Sequence, residues 1–400
     1  MILRVTLFCF ILISFSASAS SWTQRADFGG EARHRTTAVA LGNLMYFGLG
    51  HYNGAGPNIL FDDWWEYDPA TNAWTQKADY MGGETYHAAS FCIDDIAYVG
   101  TGRVPSTNLV KDFYKYDPVL NSWTQISNFP GSGRRGGVGF AIDGFGYVGT
   151  GTGTADFYKY NPVNDSWSSV ASLPASGRIS AVGFEMGGYG YVGTGTTSFS
   201  AENDFWRYNP STDSWLEMAE VGPSPREEAS GFSINGKGYI LTGADSQIGE
   251  DFRDMWEYNP TLNSWTQIDD FPGTSRRYLS SISLNNQAFC GLGTNGVNFK
   301  DFWLFDPVLD IFEKSINNII IKTFPNPSSD FITVEIQGVE NTLINNLVVS
   351  IVSLSGKRVY SQKITKNKIS LNTSNFKKGS YVCNVTYLKQ IIKSSNLIIQ

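Results

Sequence analysis

Five arginines recur at one position of a sequence repeat, where they could bind an anion. They stand 13 residues before an aligned aromatic residue in five of six repeats, and the second repeat has Thr85 there instead. The five are Arg33, Arg134, Arg178, Arg226 and Arg276. A guanidinium holds a carboxylate through two parallel hydrogen bonds. The pattern therefore predicts a ring that binds acidic sugars or an acidic peptide, and the alternative is that these side chains only hold loops in place.

All three histidines of the chain fall in the same set of predicted loops. His34 and His87 precede predicted strands, and His51 follows one. Imidazole titrates near neutral pH, so together with Tyr52 and Tyr86 they could form a metal or acid–base site. The alternative is that they are solvated loop residues. No spacing typical of metal ligands is present in the sequence, and we predict no metal, no cofactor and no catalytic residue.

The elements that must position these residues are six copies of an aromatic strand and turn. Each copy reads Asp-x-(Trp/Tyr)-x-(Tyr/Phe)-(Asp/Asn)-Pro, and a second strand with an aromatic residue follows it. The copies begin at Asp63, Asp112, Asp156, Asp204, Asp254 and Asp301. Alternating aromatic residues lie on one face of a strand, and the Asx-Pro pair favours a turn. Each copy is therefore predicted to be a β-hairpin.

A second hairpin precedes each copy. Its two strands are joined by a two-residue turn of the kind that accepts positive φ. The turns are Gly42-Asn43, Asp94-Asp95, Asp143-Gly144, Gly187-Gly188, Asn235-Gly236 and Asn285-Asn286. Four strands repeated six times predict an all-β, six-bladed β-propeller. An additional strand at Trp22 resembles the outermost strands and is predicted to close the ring, which leaves Phe312 in a linker.

The repeats resemble the kelch family of β-propellers. The resemblance rests on strand ends such as Gly100-Thr101-Gly102, on the Tyr-Asp-Pro turns and on the closing tryptophans, and it covers about residues 21–312. It implies a rigid scaffold whose variable loops on one face bind a glycan or protein ligand. Some kelch propellers are sialic-acid mutarotases, which implies an alternative function as a sugar-active enzyme. Its candidate residues are Arg134, Arg178, Arg226 and Glu227 or Glu228.

The composition changes after residue 312. Residues 313–400 hold 11 Lys and Arg against 4 Asp and Glu, whereas residues 20–312 hold 18 against 33. We predict a propeller at 20–312, a linker at 313–323 and a small Ig-like β-sandwich at 324–400. Such an acidic propeller is a poor partner for nucleic acid, because phosphate contacts require Lys and Arg.

The last segment resembles the C-terminal sorting domain of the type IX secretion system of Bacteroidota. The motifs that carry the resemblance are Phe324-Pro325-Asn326-Pro327, Leu354-Ser355-Gly356-Lys357 and Lys378-Gly379-Ser380-Tyr381. The resemblance implies that residues 324–400 bind the type IX machinery and that the protein is secreted or attached to the cell surface. An ordinary Ig-like binding module is the alternative.

The first residues have the pattern of a secretory signal peptide. Arg4 precedes an apolar run, and Ala17-Ser18-Ala19 suits a cleavage site, so residues 1–19 are predicted to be removed. No later stretch reaches the roughly 18 apolar residues that span a membrane. Three cysteines would remain, which is too few and too scattered for a disulfide framework. Together these features predict a secreted or surface-attached binding protein.

Overall fold

A computed structural model describes residues 21–54, 58–106, 108–307, 319–339, 344, 347–354, 356–387 and 390–400. The chain forms two compact units, one at Trp22–Asp306 and one that includes Pro307–Gln400. The predicted signal peptide and Phe312 lie outside the described residues. The domain limits placed at 19, 312 and 323 stay predictions.

The first unit consists of six four-stranded antiparallel sheets, which are the blades of a propeller. The innermost strands are Thr37–Leu41, Ala89–Ile93, Val138–Ile142, Val182–Met186, Ser230–Ile234 and Ser280–Leu284. The second strands are Leu44–Gly48, Ile96–Gly100, Phe145–Gly149, Tyr189–Gly193, Lys237–Leu241 and Gln287–Gly291. The third strands are Trp64–Asp68, Phe113–Asp117, Phe157–Asn161, Phe205–Asn209, Met255–Asn259 and Phe302–Phe305.

The outermost strands show how the ring closes. In blades 1 to 5 they are Ala73–Gln76, Ser122–Ile126, Ser166–Val170, Ser214–Met218 and Ser264–Ile268. Blade 6 receives Trp22–Arg25 from the start of the unit, which pairs antiparallel with Phe302–Phe305. This pairing, which the sequence predicts, removes an exposed sheet edge.

Aromatic contacts between neighbouring blades explain why the repeat carries so many rings. The aligned aromatic of each second strand lies 5.4–6.0 Å from the last aromatic of the next blade's third strand, all the way around the ring. The pairs are Tyr46–Tyr116, Tyr98–Tyr160, Tyr147–Tyr208, Tyr191–Tyr258, Tyr239–Phe305 and Phe289–Tyr67. Aromatic pairs at these separations stabilise a core beyond their buried area. The repeat therefore specifies the contact between blades as well as the hairpin within each blade.

The second unit has a three-stranded sheet and a four-stranded sheet. The first contains Ile320–Phe324, Phe331–Gln337 and Lys368–Asn372, and the second contains Arg358–Lys363, Leu347–Ser353, Gly379–Tyr387 and Gln390–Ile399. Ile332, Val349 and Leu397 are fully buried in its core. These sheets agree with the predicted Ig-like sandwich. Across the described ranges, no helix is long and apolar enough to cross a membrane.

Candidate functional site

The five recurring arginines are buried, and their side chains bond within their own blade. Each guanidinium is at most 1% exposed and donates two hydrogen bonds to the carboxylate of an aspartate that precedes the third strand. The pairs are Arg33–Asp63, Arg134–Asp156, Arg178–Asp204, Arg226–Asp254 and Arg276–Asp301. In the third blade, for example, the two nitrogens of Arg134 lie 2.7 and 2.9 Å from the Asp156 carboxylate oxygens. The same Arg134 donates to the Thr150 carbonyl at 2.9 Å.

The backbone at these arginines also joins the blades to one another. The glycine two residues after each second strand donates its N–H to the carbonyl of the next blade's arginine, or of Thr85, over 2.7–3.0 Å. Burial would raise the pKa of Asp156, but the hydrogen bonds and charge of Arg134 lower it on balance. The Asp254 carboxyl behaves in the same way beside Arg226. This geometry favours the loop-holding interpretation of the five arginines.

A second ring of residues lies two positions after the arginines and lines the mouth of the central channel. Its members, one from each blade, are Arg35, His87, Gly136, Ser180, Glu228 and Tyr278, and we call them the mouth ring. All six have positive φ, between 56° and 63°. Five successive backbone N–H···O=C bonds of 2.7–3.2 Å link them from blade 1 to blade 6. Below them the six innermost strands enclose a channel of about 440 Å³.

Three mouth-ring side chains form a hydrogen-bonded chain. The Arg35 guanidinium donates to the Tyr278 hydroxyl at 2.7 Å, and that hydroxyl donates to the Glu228 carboxylate. Arg277, which lies beside the ring, pairs with Glu228 at 3.2 Å. Burial outweighs these bonds and raises the pKa of Glu228 from 4.5 to about 7. The mouth therefore holds a carboxyl group that titrates near neutral pH.

The structure brings the three histidines together on the same side of the mouth. His34 Nε2 lies 3.1 Å from His51 Nδ1, and the two rings stack. The other face of His51 stacks on Tyr86, with ring centroids 5.0 Å apart. Burial and nearby arginines lower the pKa of His51 to about 4 and hold that of His87 below its ordinary value. The imidazoles are therefore neutral and mostly buried, and no metal-binding group of His, Cys, Asp or Glu occurs among the described residues.

Three arginines around this stack differ from the buried five. Arg35, Arg103 and Arg135 come from blades 1 to 3, and their charges all act on His51. Arg135 donates to the Tyr86 hydroxyl at 3.0 Å, and both Arg35 and Arg135 lie 5.7 Å from the Tyr86 ring. Within the described ranges none of the three forms an ion pair, so we call them the unpaired arginines.

The sequence singles out the loops that line this mouth and all three histidines. It does not single out Ser180, Tyr278 or Arg103. The mouth ring lies 11 residues before the same aligned aromatics. That count identifies all six positions by register alone, including Gly136, Ser180 and Tyr278, which the sequence analysis does not single out. The repeat pattern does not point to Arg103, because this residue lies in the loop after the second strand.

Comparisons with known proteins agree with the fold. A profile of the KLHDC2/KLHL20/DRC7 Kelch-repeats domain matches residues 137–338. A solved structure described as "Structure of YjhT" is 20% identical, with a TM-score of 0.58, and the match covers 70% of this chain and 96% of that one. No curated protein matches the chain.

A further profile, the secretion system C-terminal sorting domain, matches residues 322–400. This is the segment in which the sequence predicts a type IX sorting domain, and it directs export to the exterior or the cell surface. The Kelch profile covers half of the chain. The structure has six four-stranded blades, and five of them carry the repeated arginine. The chain therefore belongs to the kelch-repeat family of β-propellers and carries a type IX C-terminal sorting domain.

Proposed function

We propose that this exported propeller is a binding protein that holds an acidic glycan at the mouth of its central channel. One observation carries the proposal: the unpaired arginines cluster on three adjacent blades of an otherwise acidic domain. Residues 20–312 hold 33 acidic and 18 basic residues. The five buried arginines each have an aspartate partner, so they contribute to the proposed site only indirectly, by holding loops in place. They are Arg33, Arg134, Arg178, Arg226 and Arg276.

The surroundings of the unpaired arginines suit such a ligand. Arg35 and Arg135 are held in place by hydrogen bonds to Tyr278 and Tyr86, which lowers the entropy lost when a carboxylate binds. The neighbouring mouth ring offers hydroxyl, imidazole and carboxylate groups that can exchange hydrogen bonds with sugar hydroxyls. An apolar peptide side chain would find few partners there, which favours a glycan over a protein ligand.

The proposal is tested by calorimetric titration of the purified protein with oligogalacturonate, a chain of uronic acids. Arg103→Ala and Arg135→Ala should each weaken binding about 10- to 100-fold, since a hydrogen bond to a charged group contributes roughly 1.5–3 kcal/mol. Arg207→Ala is the matched control. Arg207 lies in the third strand of blade 4, and its guanidinium is 4.7 Å from the Tyr189 ring. Its replacement by Ala removes one positive charge, as the other two substitutions do.

An equal loss in Arg207→Ala would show that only net charge matters and would contradict the proposal. Failure of oligogalacturonate to bind at all would do the same. If poly-glutamate binds instead, and more tightly than any glycan, the ligand is an acidic protein segment.

A second candidate function is catalysis on a sugar, and the Glu228 carboxyl favours it. With a pKa of about 7 and a hydrogen bond to Tyr278, Glu228 could donate or accept a proton at a ligand hydroxyl. NMR exchange spectroscopy of sugar anomers tests this function. Enzyme-dependent interconversion that is lost in Glu228→Gln would support catalysis, whereas binding without interconversion supports the binding protein.

A further inference from the structure

Positive charge is concentrated in the second unit. Residues 341–400 contain eight lysines and one arginine but no aspartate or glutamate. Five of these cations lie in the segment 357–368, and all five are exposed. Among the described residues, no ion pair involves any of them. The sorting domain therefore presents a positive charge that is available to a partner.

The cations surround an edge strand of the four-stranded sheet. Within the described ranges, Arg358–Lys363 pairs with Leu347–Ser353 on one side and with no strand on the other. Its side chains are exposed except at Tyr360, which is half-buried. Alternate residues of an antiparallel pair turn their backbone N–H and C=O groups away from the partner. This strand, which we call the cationic edge, therefore offers unpaired backbone groups to a further strand.

The opposite edge of the same sheet is partly covered. Its last strand is Gln390–Ile399, and the Ser328 N–H donates to the Ile398 carbonyl at 2.9 Å. The Gln400 N–H donates to the Ser328 carbonyl at 2.8 Å, and the Ile398 N–H donates to Asn326 Oδ1 at 2.9 Å. The sheet is therefore covered near the C-terminus and can be extended at the cationic edge.

A shift in register places the two end cations of this strand on one face. Arg358 lies opposite Val352 and Lys363 lies opposite Val348, with the shift between Ile351 and Val352. Val348 and Val352 share a face because side chains alternate along a strand. Arg358 and Lys363 therefore share that face, and the length of four strand residues separates them by about 13 Å.

We propose that the cationic edge binds an extended acidic segment of a protein in the export machinery, which joins the sheet as an additional strand. Backbone hydrogen bonds supply the affinity, and two carboxylates about 13 Å apart pair with Arg358 and Lys363. The same cations oppose pairing between two copies of this edge, so they select an acidic strand. The open backbone edge favours a protein strand over an anionic lipid surface, which would need only the charges.

The spacing of carboxylates tests strand addition with purified full-length protein. The probes are two ten-residue peptides of threonine and valine, one with glutamates four residues apart and the other with glutamates three residues apart. Only the first places both carboxylates on one face of a strand. Fluorescence polarisation should give a dissociation constant about fivefold lower for the first peptide, as for one well-placed exposed ion pair. Lys363→Glu should remove this difference.

Charge reversal tests the role of the cationic edge in export. Arg358→Glu and Lys363→Glu should each lower the amount of protein outside the cell about tenfold, because a carboxylate at the edge repels an acidic strand. Lys393→Glu is the matched control, since Lys393 is an exposed residue of Gln390–Ile399 on the other edge of the same sheet. It should be exported like the wild type.

Equal binding of the two peptides, or an equal loss of export in Lys393→Glu, would show that only net charge matters and would overturn the proposal. Absence of binding by both peptides would also overturn it. Binding of phosphatidylglycerol vesicles that Lys363→Glu abolishes would then identify the edge as a membrane contact. If thermal unfolding shows that a charge-reversal variant fails to fold, Lys363→Gln, which removes the charge without reversing it, provides the same comparison.

Discussion

The buried arginines allow the most direct test of what the repeat encodes, and Arg178 is the clearest case. Its guanidinium is 1% exposed, forks onto Asp204 and donates to the Thr194 carbonyl at 3.0 Å. Arg178→Ala would leave Asp204 partly buried without its partner. Breaking a buried pair in this way costs about 3–5 kcal/mol. For a domain of this size that corresponds to a fall in the melting temperature of roughly 10 °C.

Calorimetry and oligogalacturonate titration of the same samples are the assay. Arg178→Ala should unfold at a lower temperature yet bind oligogalacturonate normally well below its transition. Arg207→Ala should change neither the melting temperature nor the binding. The double variant Arg178→Ala with Asp204→Ala should be less destabilised than the two single losses combined, because it leaves no unpaired charge. If Arg178→Ala melts like the wild type but binds nothing, the arginine ring is the ligand site and the present reasoning fails.

Three other predictions concern closure of the ring, pH and export. Trp22→Ala should destabilise the propeller by about 3–5 kcal/mol, measured by chemical unfolding, because Trp22 is 6% exposed and packs on Phe271 and Phe305. Glu228 keeps its proton up to a pH of about 7 in the folded protein but only up to about 4.5 in the unfolded chain. The free energy of unfolding should therefore fall as pH rises between these values. Urea midpoints of Glu228→Gln should lack this fall. Deletion of residues 324–400 should retain the propeller inside the outer membrane, as immunoblots of cell fractions and medium will show, whereas export of the truncated chain would exclude a sorting role.

The fold was predictable because the residues that form the strands and the contacts between blades recur six times in the sequence. Each two-residue turn appears in the structure where Gly, Asn or Asp predicts it, as at Gly42 and Asn235, both with positive φ. The Trp22 strand was predictable because it copies an outermost strand that blade 6 would otherwise lack. Averaging over six copies suppresses the ambiguity that a single short strand would have.

The partners of the arginines were harder to predict from the sequence. Arg178 and Asp204 are both prominent in the repeat, but 26 residues separate them. Only the closure of the blade shows that they meet. The chain itself offered a clue, since the second blade has Thr85 in place of the arginine and is the one whose aspartate, Asp112, has no arginine partner among the described residues.

Repetition also explains why most of the mouth ring is hard to predict from the sequence. A position that every blade needs for its scaffold becomes uniform, as the arginine position nearly is, and uniformity attracts attention in a sequence. The mouth-ring position is required only to adopt positive φ, so its side chains differ in every blade, from Gly136 to Tyr278. Such freedom lets each blade contribute a different group to one small opening. In this propeller the residues that repeat hold the blades together, and the ligand proposed above would meet those that vary at a fixed backbone position.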